Sequence, residues 1–154
     1  MKRAFTLTAA TLGLAVLTST AFADGHINHA IKARQAQMQL YAFNLGTLGA
    51  MAKGEMEYDA AKASAAAGNL ATLTTLDQSM MWPQGSDSAN AETRAKPEMW
   101  ANFPDVMAKG KAMADAAAAM QAAAGTDLDS LRAAMGPLGG SCGGCHKPYR
   151  EPES

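Results

Sequence analysis

Apolar residues recur along this chain at alternating steps of three and four, over stretches too long for strands, and that spacing commits it to helices. From about Asn28 to Lys53, the positions Ile27, Ile31, Arg34, Met38, Tyr41, Leu45, Leu48 and Ala52 form one seam of the kind that bundles bury. Gly54 ends it. Asp59 is placed to cap a second helix running to about Met80, with Leu70, Leu73, Leu76 and Met80 as its large apolar residues and Gly68-Asn69 as a weak middle. Residues 81–96 carry Pro83, Gly85, several Ser and Asn and no period, so they read as a loop. Pro97 suits the first turn of a third helix, striped by Met99, Phe103, Val106, Gly110, Met113, Ala117 and Met120. Pro104 then requires either a kink or a later start near Pro104-Asp105. Thr126 or Asp127 caps a fourth helix whose seam is Leu128, Leu131, Met135, Leu138, Cys142, Cys145 and Tyr149, with Pro137 and Gly139-Gly140 expected to disturb its middle. Four such helices joined mostly by short turns predict an all-α, antiparallel up-down-up-down four-helix bundle.

The start of the chain has a different character. Lys2 and Arg3 precede an uncharged apolar stretch from Phe5 to Val16, and Ala21-Phe22-Ala23 offers a small-x-small cleavage site. This order is that of a secretory signal peptide over residues 1–23, leaving residues 24–154 as one domain of an exported, periplasmic protein. The apolar stretch is interrupted by Thr6, Thr8, Thr11 and Gly13 and is short against the roughly 20 residues of a membrane span. After cleavage no membrane span is expected. Removing Lys2 and Arg3 leaves 11 basic against 14 acidic residues, a mildly acidic balance that argues against a nucleic acid partner. The domain is rich in Ala and Met, which favours helix over sheet. A core of such residues is thin in side-chain volume, and a large apolar cofactor would fill it.

Cys142-Gly143-Gly144-Cys145-His146 is the motif that carries chemistry. C-x-x-C-H is the attachment sequence for c-type haem. Two thiols add to the two vinyl groups on one porphyrin edge, and residues three apart share a helix face. The adjacent His brings an imidazole nitrogen under the iron, and small residues between the cysteines let the macrocycle lie against the backbone. A zinc site would need about four ligands, whereas the chain has two Cys, and His26 and His29 lie near the start of the domain. A thioredoxin-like dithiol would need a preceding strand. A plain Cys142–Cys145 disulfide suits an oxidising compartment but leaves His146 unexplained.

With this motif at its C-terminus, followed by Tyr149-Arg150, the chain resembles the cytochrome c-prime family, the class II c-type cytochromes. Pro97-Glu98-Met99-Trp100, Met51-Ala52-Lys53-Gly54-Glu55 followed by Tyr58-Asp59, and Leu131-Arg132-Ala133-Ala134-Met135 extend the likeness over essentially the whole domain. The resemblance implies one covalently attached haem c on Cys142 and Cys145, with His146 as proximal iron ligand. In the family's low-spin, cytochrome c-556-like branch a Met of the first helix is the distal ligand, and counting back from Ala50-Met51-Ala52-Lys53-Gly54-Glu55 puts that position on Met38, within Arg34-Gln35-Ala36-Gln37-Met38. The periodicity alone reads Met38 as a core residue, one of 11 Met. Arg34, one turn earlier, could pair with a haem propionate or be a solvated charge, and Arg150 could cover the proximal pocket. Trp100 and Tyr58 are candidates to pack near the macrocycle or in the core. The implied function is one-electron transfer with redox partner proteins, without enzymatic activity. The alternative is a five-coordinate gas binder with an open distal site for nitric oxide or carbon monoxide. Homodimerisation through the first two helices is implied by the resemblance alone.

Overall fold

The computed structural model describes residues 19–152. Most of the leader expected at residues 1–23 therefore lies outside the described residues. Five helices follow in order: α1 (Ser19–Lys53), α2 (Ala60–Thr74), a single turn α3 (Glu98–Ala101), α4 (Phe103–Ala123) and α5 (Leu128–Tyr149). α1, α2, α4 and α5 form the expected four-helix bundle. Among the described residues the β-type pairing is an isolated antiparallel bridge between Ala95 and Arg150.

Local chemistry sets the ends of these helices. At the end of α1, Gly54 turns to φ 77°, Glu55 N donates to Ala50 O at 2.9 Å and Gly54 N donates to Met51 O at 3.1 Å. These paired bonds satisfy carbonyls that the helix end would leave open. Asp59 accepts from Lys62 N at 3.0 Å and Asp127 accepts from Ser130 N at 2.7 Å, so both expected caps are formed.

Two expectations, the end of α2 and a disturbed α5, are corrected, and the choice left open at Pro104 is resolved. α2 stops at Thr74 rather than near Met80. Its last carbonyls are taken by side chains and by the turn: Thr74 Oγ1 donates to Ala71 O, Thr75 Oγ1 and N donate to Thr72 O, and Gln37 Nε2 of α1 donates to Leu73 O at 3.0 Å. The third helix is broken at Asn102, whose N closes α3 on Glu98 O and whose O accepts from Asp105 N to open α4. Pro104 then stands in the first turn of α4, where its missing N–H has no intrahelical partner to lose. α5 runs unbroken through Pro137 and Gly139-Gly140. Leu131 and Leu138, both wholly buried, flank the proline and anchor the helix on either side of it.

The core is built from Leu48, Met51, Leu70, Met120, Leu131 and Leu138, separated by buried Ala63, Ala67, Ala117 and Ala124. The alanines let the helices approach closely. Gly125 does the same where α4 turns beside α2, for a Cβ there would strike Ser64 Oγ.

Gly54→Ala places a Cβ in left-handed backbone. It is expected to cost about 1 kcal/mol, read as a lower urea midpoint with an unchanged m-value.

Candidate functional site

α5 lies antiparallel to α1; two contacts fix their register, and an electrostatic influence of Cys142 on Tyr41 is consistent with it. Arg132 Nε donates to Ala52 O at 2.8 Å. A Cβ on Gly49 would lie 3.7 Å from Met135 Cε. Tyr41 stands beside Cys142: burial raises its phenol pKa, a Gln37 hydrogen bond opposes this, and Cys142 adds to the rise. In each pair the α1 residue falls as the α5 residue climbs, at nearly the same rate. Continued along both helices, the register sets Met38 level with His146.

The faces agree with the levels. On α1, Met38, Tyr41, Leu45, Gly49 and Ala52 step by three and four, and members of that stripe meet α5. On α5, Met135, Cys142, His146 and Tyr149 share one stripe in the same way. The register thus brings Met38 and His146 to the same level of the α1–α5 pair.

α4 closes the other side of the motif. Cys142 Sγ is 3.9 Å from Met113 Sδ. Tyr149 OH donates to Asp105 Oδ2 at 2.6 Å, and Lys109 Nζ is 3.6 Å from that same oxygen. The last turns of α5 are therefore pinned to the first turns of α4. α2 does not reach this level. Gly68 lies against Gln121 and Ser64 against Gly125, so Thr74 falls beside the middle of α4. The first turns of α4 have no helix α2 in front of them, and there Phe103 and Met107 are 55% and 59% exposed. Met38 is 38% exposed although its stripe neighbours are packed.

Half-open apolar side chains at one end of the bundle, around two unbridged thiols and an imidazole, fit a large apolar group. Cys142, Cys145 and His146 are all half-buried. Burial raises the Cys145 thiol pKa, and Lys109 partly reverses that. Burial lowers the His146 pKa, and the charges of Arg150 and Arg94 lower it further, so the imidazole is kept neutral and its lone pair available. Gly143 and Gly144 are exposed, and a Cβ on either would meet nothing within 4 Å. Among the described residues no cluster of three His, Cys, Asp or Glu side chains could hold a metal ion by itself.

Arg34 lies elsewhere than a solvated charge would. It is 3% exposed. Nη1 donates to Met81 O at 3.2 Å and to Ser86 Oγ at 2.7 Å. Nη2 donates to Ser86 O at 2.5 Å and to Thr93 Oγ1 at 3.1 Å. The guanidinium carbon is 4.6 Å from the Trp82 ring centroid and 5.9 Å from that of Trp100, and Trp100 Nε1 donates to Trp82 O. All four terminal N–H bonds are thereby committed to the segment between α2 and α3, and a carboxylate could be met through Nε alone. The same segment is clasped to α5. Lys96 N donates to Tyr149 O at 3.0 Å and Glu151 N to Arg94 O at 2.8 Å, around the Ala95–Arg150 bridge.

Arg150 follows one turn after His146, and its N donates to His146 O. Its side chain lines a concavity together with His146, Arg94, Lys96, Lys147 and Glu151. Trp100 belongs to the Arg34 cage. Tyr58 is at the far end of the bundle, donating to Ala124 O at 3.0 Å. Tyr41, Trp82, Met107, Lys96 and Lys147 were not singled out as site residues by the sequence reading. Tyr41 was visible as the next seam position after Met38; the others carry no periodic signal.

The family model described as Cytochrome C' matches residues 29–150. Cytochrome c-554 of Cereibacter sphaeroides is 43% identical over 144 residues, which is 93% of this chain and 94% of that protein. A cytochrome c' structure from Rhodobacter superposes with TM-score 0.81 at 41% identity, over 82% of this chain and 98% of that one. A second cytochrome c', described as having an unusual ligand-controlled dimer dissociation, gives TM-score 0.75 at 29% identity over 82% and 97%.

Arg34→Met leaves the Ser86 and Met81 carbonyls buried without donors. It is expected to cost about 2–3 kcal/mol in urea unfolding and to speed amide exchange across residues 81–95 more than in the core.

Proposed function

The chain belongs to the cytochrome c' family, and on that premise we propose that it is an exported one-electron carrier whose iron is held between His146 and Met38. Its cofactor is one covalently attached haem c. In this reading the Cys142 and Cys145 thiols carry the thioether links, neutral His146 is the proximal ligand and Met38 the distal one. When bound, the haem iron supplies the one-electron couple, and a Met/His pair raises its potential relative to more electron-rich ligands.

What supports the reading is the antiparallel α1–α5 register, fixed by Arg132 on Ala52 O and Met135 on Gly49, which continued along both helices brings Met38 and His146 to one level. Tyr41 and Met113 bracket Cys142, and the Tyr149–Asp105 bond fixes the turn that bears His146. Arg150 covers the proximal side beside His146. Arg34 contributes by holding the segment from Met81 to Thr93 against α1, with Nε left for a propionate. No residue is given a catalytic role.

Residues 1–23 are the export signal in this reading and residues 24–154 the periplasmic domain. Cleavage after Ala23 would remove the first turn of α1 and leave the rest of that helix as the new start. Among the described residues no helix is long and apolar enough to cross a membrane.

Met38→Ala tests the distal assignment. The purified protein is expected to show resolved α and β bands unmoved by carbon monoxide. The variant is expected to turn high-spin and to shift fully on adding carbon monoxide. A wild-type spectrum that already shifts with carbon monoxide identifies the five-coordinate gas binder instead.

The outer face of α1 carries Leu40 and Phe43, 51% and 73% exposed and one turn apart. A second copy of the chain is the proposed cover, in keeping with the dimer named for the structural relative. Phe43→Asp is expected to halve the mass measured by light scattering while leaving the haem spectrum unchanged.

A further inference from the structure

The face around His146 has the opposite sign to the chain as a whole. A concavity of about 460 Å³ is lined by Arg94, Lys96, His146, Lys147, Arg150 and Glu151. Four cations thus stand against one carboxylate, on a protein whose formal net charge is −1. The lining comes from two segments far apart in sequence. Lys147 occupies the last turn of α5 beside His146, where a cation complements the helix dipole. That account does not extend to Arg94 and Lys96, which arrive from the segment before α3 and are held here by the bonds from Lys96 N to Tyr149 O and from Glu151 N to Arg94 O. Arg94 Nε and Nη2 also donate to Glu151 O. Arg94 and Arg150 are engaged within the chain, so what they offer a partner is charge.

His146 is itself part of this wall. As the proposed iron ligand, its imidazole would join the metal to the wall of the basic concavity.

We propose that this face is the docking surface for an acidic electron-transfer protein, which receives or delivers the electron beside His146. The proposal rests on the one-electron-carrier reading and adds to it the site of transfer and the charge of the partner. One electron passes between the two proteins, one oxidised and the other reduced by one, and no atom moves. Complementary charge would steer the encounter and make its rate fall with ionic strength.

Small outer-sphere reagents of opposite charge test the sign. The reduced holoprotein is mixed with hexacyanoferrate(III), and separately with a tripositive tris(phenanthroline)cobalt(III) complex, over a range of ionic strength. Net charge alone predicts that the anionic reagent speeds up as salt is added. A basic transfer face predicts that it slows down. Lys96→Glu and Lys147→Glu are expected each to slow the anionic reagent several-fold at low salt and to speed the cationic one, which a mere shift in potential would not do in opposite directions. Redox-inert hexacyanochromate(III) supplies a readout without electron transfer: its paramagnetic broadening is expected to centre on the amides of residues 94–96 and 146–151. An anionic rate that rises with salt, variants that leave both reagents unchanged, or broadening centred elsewhere would overturn the proposal. Absence of a Soret band would instead remove the carrier reading on which it rests.

Discussion

The early end of α2 is the constraint on which the rest of this structure depends. α2 has 15 residues, while its neighbours α1, α4 and α5 have 35, 21 and 22. At about 1.5 Å per residue, α2 falls roughly 9 Å short of α4. One end of the bundle therefore has three long helices and an opening where a fourth would lie. The stop is enforced at the backbone: Thr74, Thr75 and Gln37 take the carbonyls that another helical turn would have used. Gln37 joins two neighbours here. Its Nε2 is shared between Tyr41 OH and Leu73 O, and its Oε1 is buried with no donor among the described residues. Flipping the amide would set oxygen against the Leu73 carbonyl, so the orientation is dictated by the end of α2.

The segment that crosses this opening is fixed from both sides. Arg34 is a buried cation with no carboxylate in direct contact among the described residues. Desolvation lowers its pKa, and the charge of nearby Asp87 raises it again. Four hydrogen bonds and two indole faces compensate the lost hydration. Asp87 is spent on the turn itself, accepting from Ala89 N and Asn90 Nδ2. The clasp of residues 94–96 onto residues 149–151 holds the other side. One segment thus ties the helix bearing Met38 to the helix bearing His146.

Much of this was legible in the sequence, for reasons that differ by element. The α1 seam named the stripe that faces α5 because bundle contacts repeat with the helical period. The caps at Asp59 and Asp127 and the stop at Gly54 were legible because they act within four residues. Cys142, Cys145 and His146 were legible as a fixed spacing. The end of α2 was not, since Leu76 and Met80 continue its apolar period while the bonds that stop it involve a Gln 36 residues away. Nor was the continuity of α5, because a proline penalty is local and the burial of Leu131 and Leu138 that offsets it is tertiary. Arg34 looked like a surface or propionate-facing charge because its acceptors lie 47 to 59 residues further on, in a stretch without period.

The same geometry makes α1–α5 spacing a control on the proposed iron ligation. Met38 and His146 sit on two rigid helices, so the gap between them is set by contacts further along the pair. Gly49 against Met135, and Arg132 on Ala52 O, lie several turns from Met38 and leave a groove between them lined by Ala42, Leu45 and Gly46. A side chain at Gly49 would meet the Met135 thioether end, whose terminal carbon lies 3.7 Å from the first added carbon, while touching neither proposed ligand. A long, flexible Met thioether is the ligand that tolerates small changes of this gap, whereas His146 is held by the Tyr149–Asp105 bond and the clasp around it. The pair is therefore asymmetric: His146 is fixed in place, and in the proposed ligation Met38 is the side that follows small changes of the gap, so that only a larger separation of α1 from α5 would turn the carrier into the open-site gas binder.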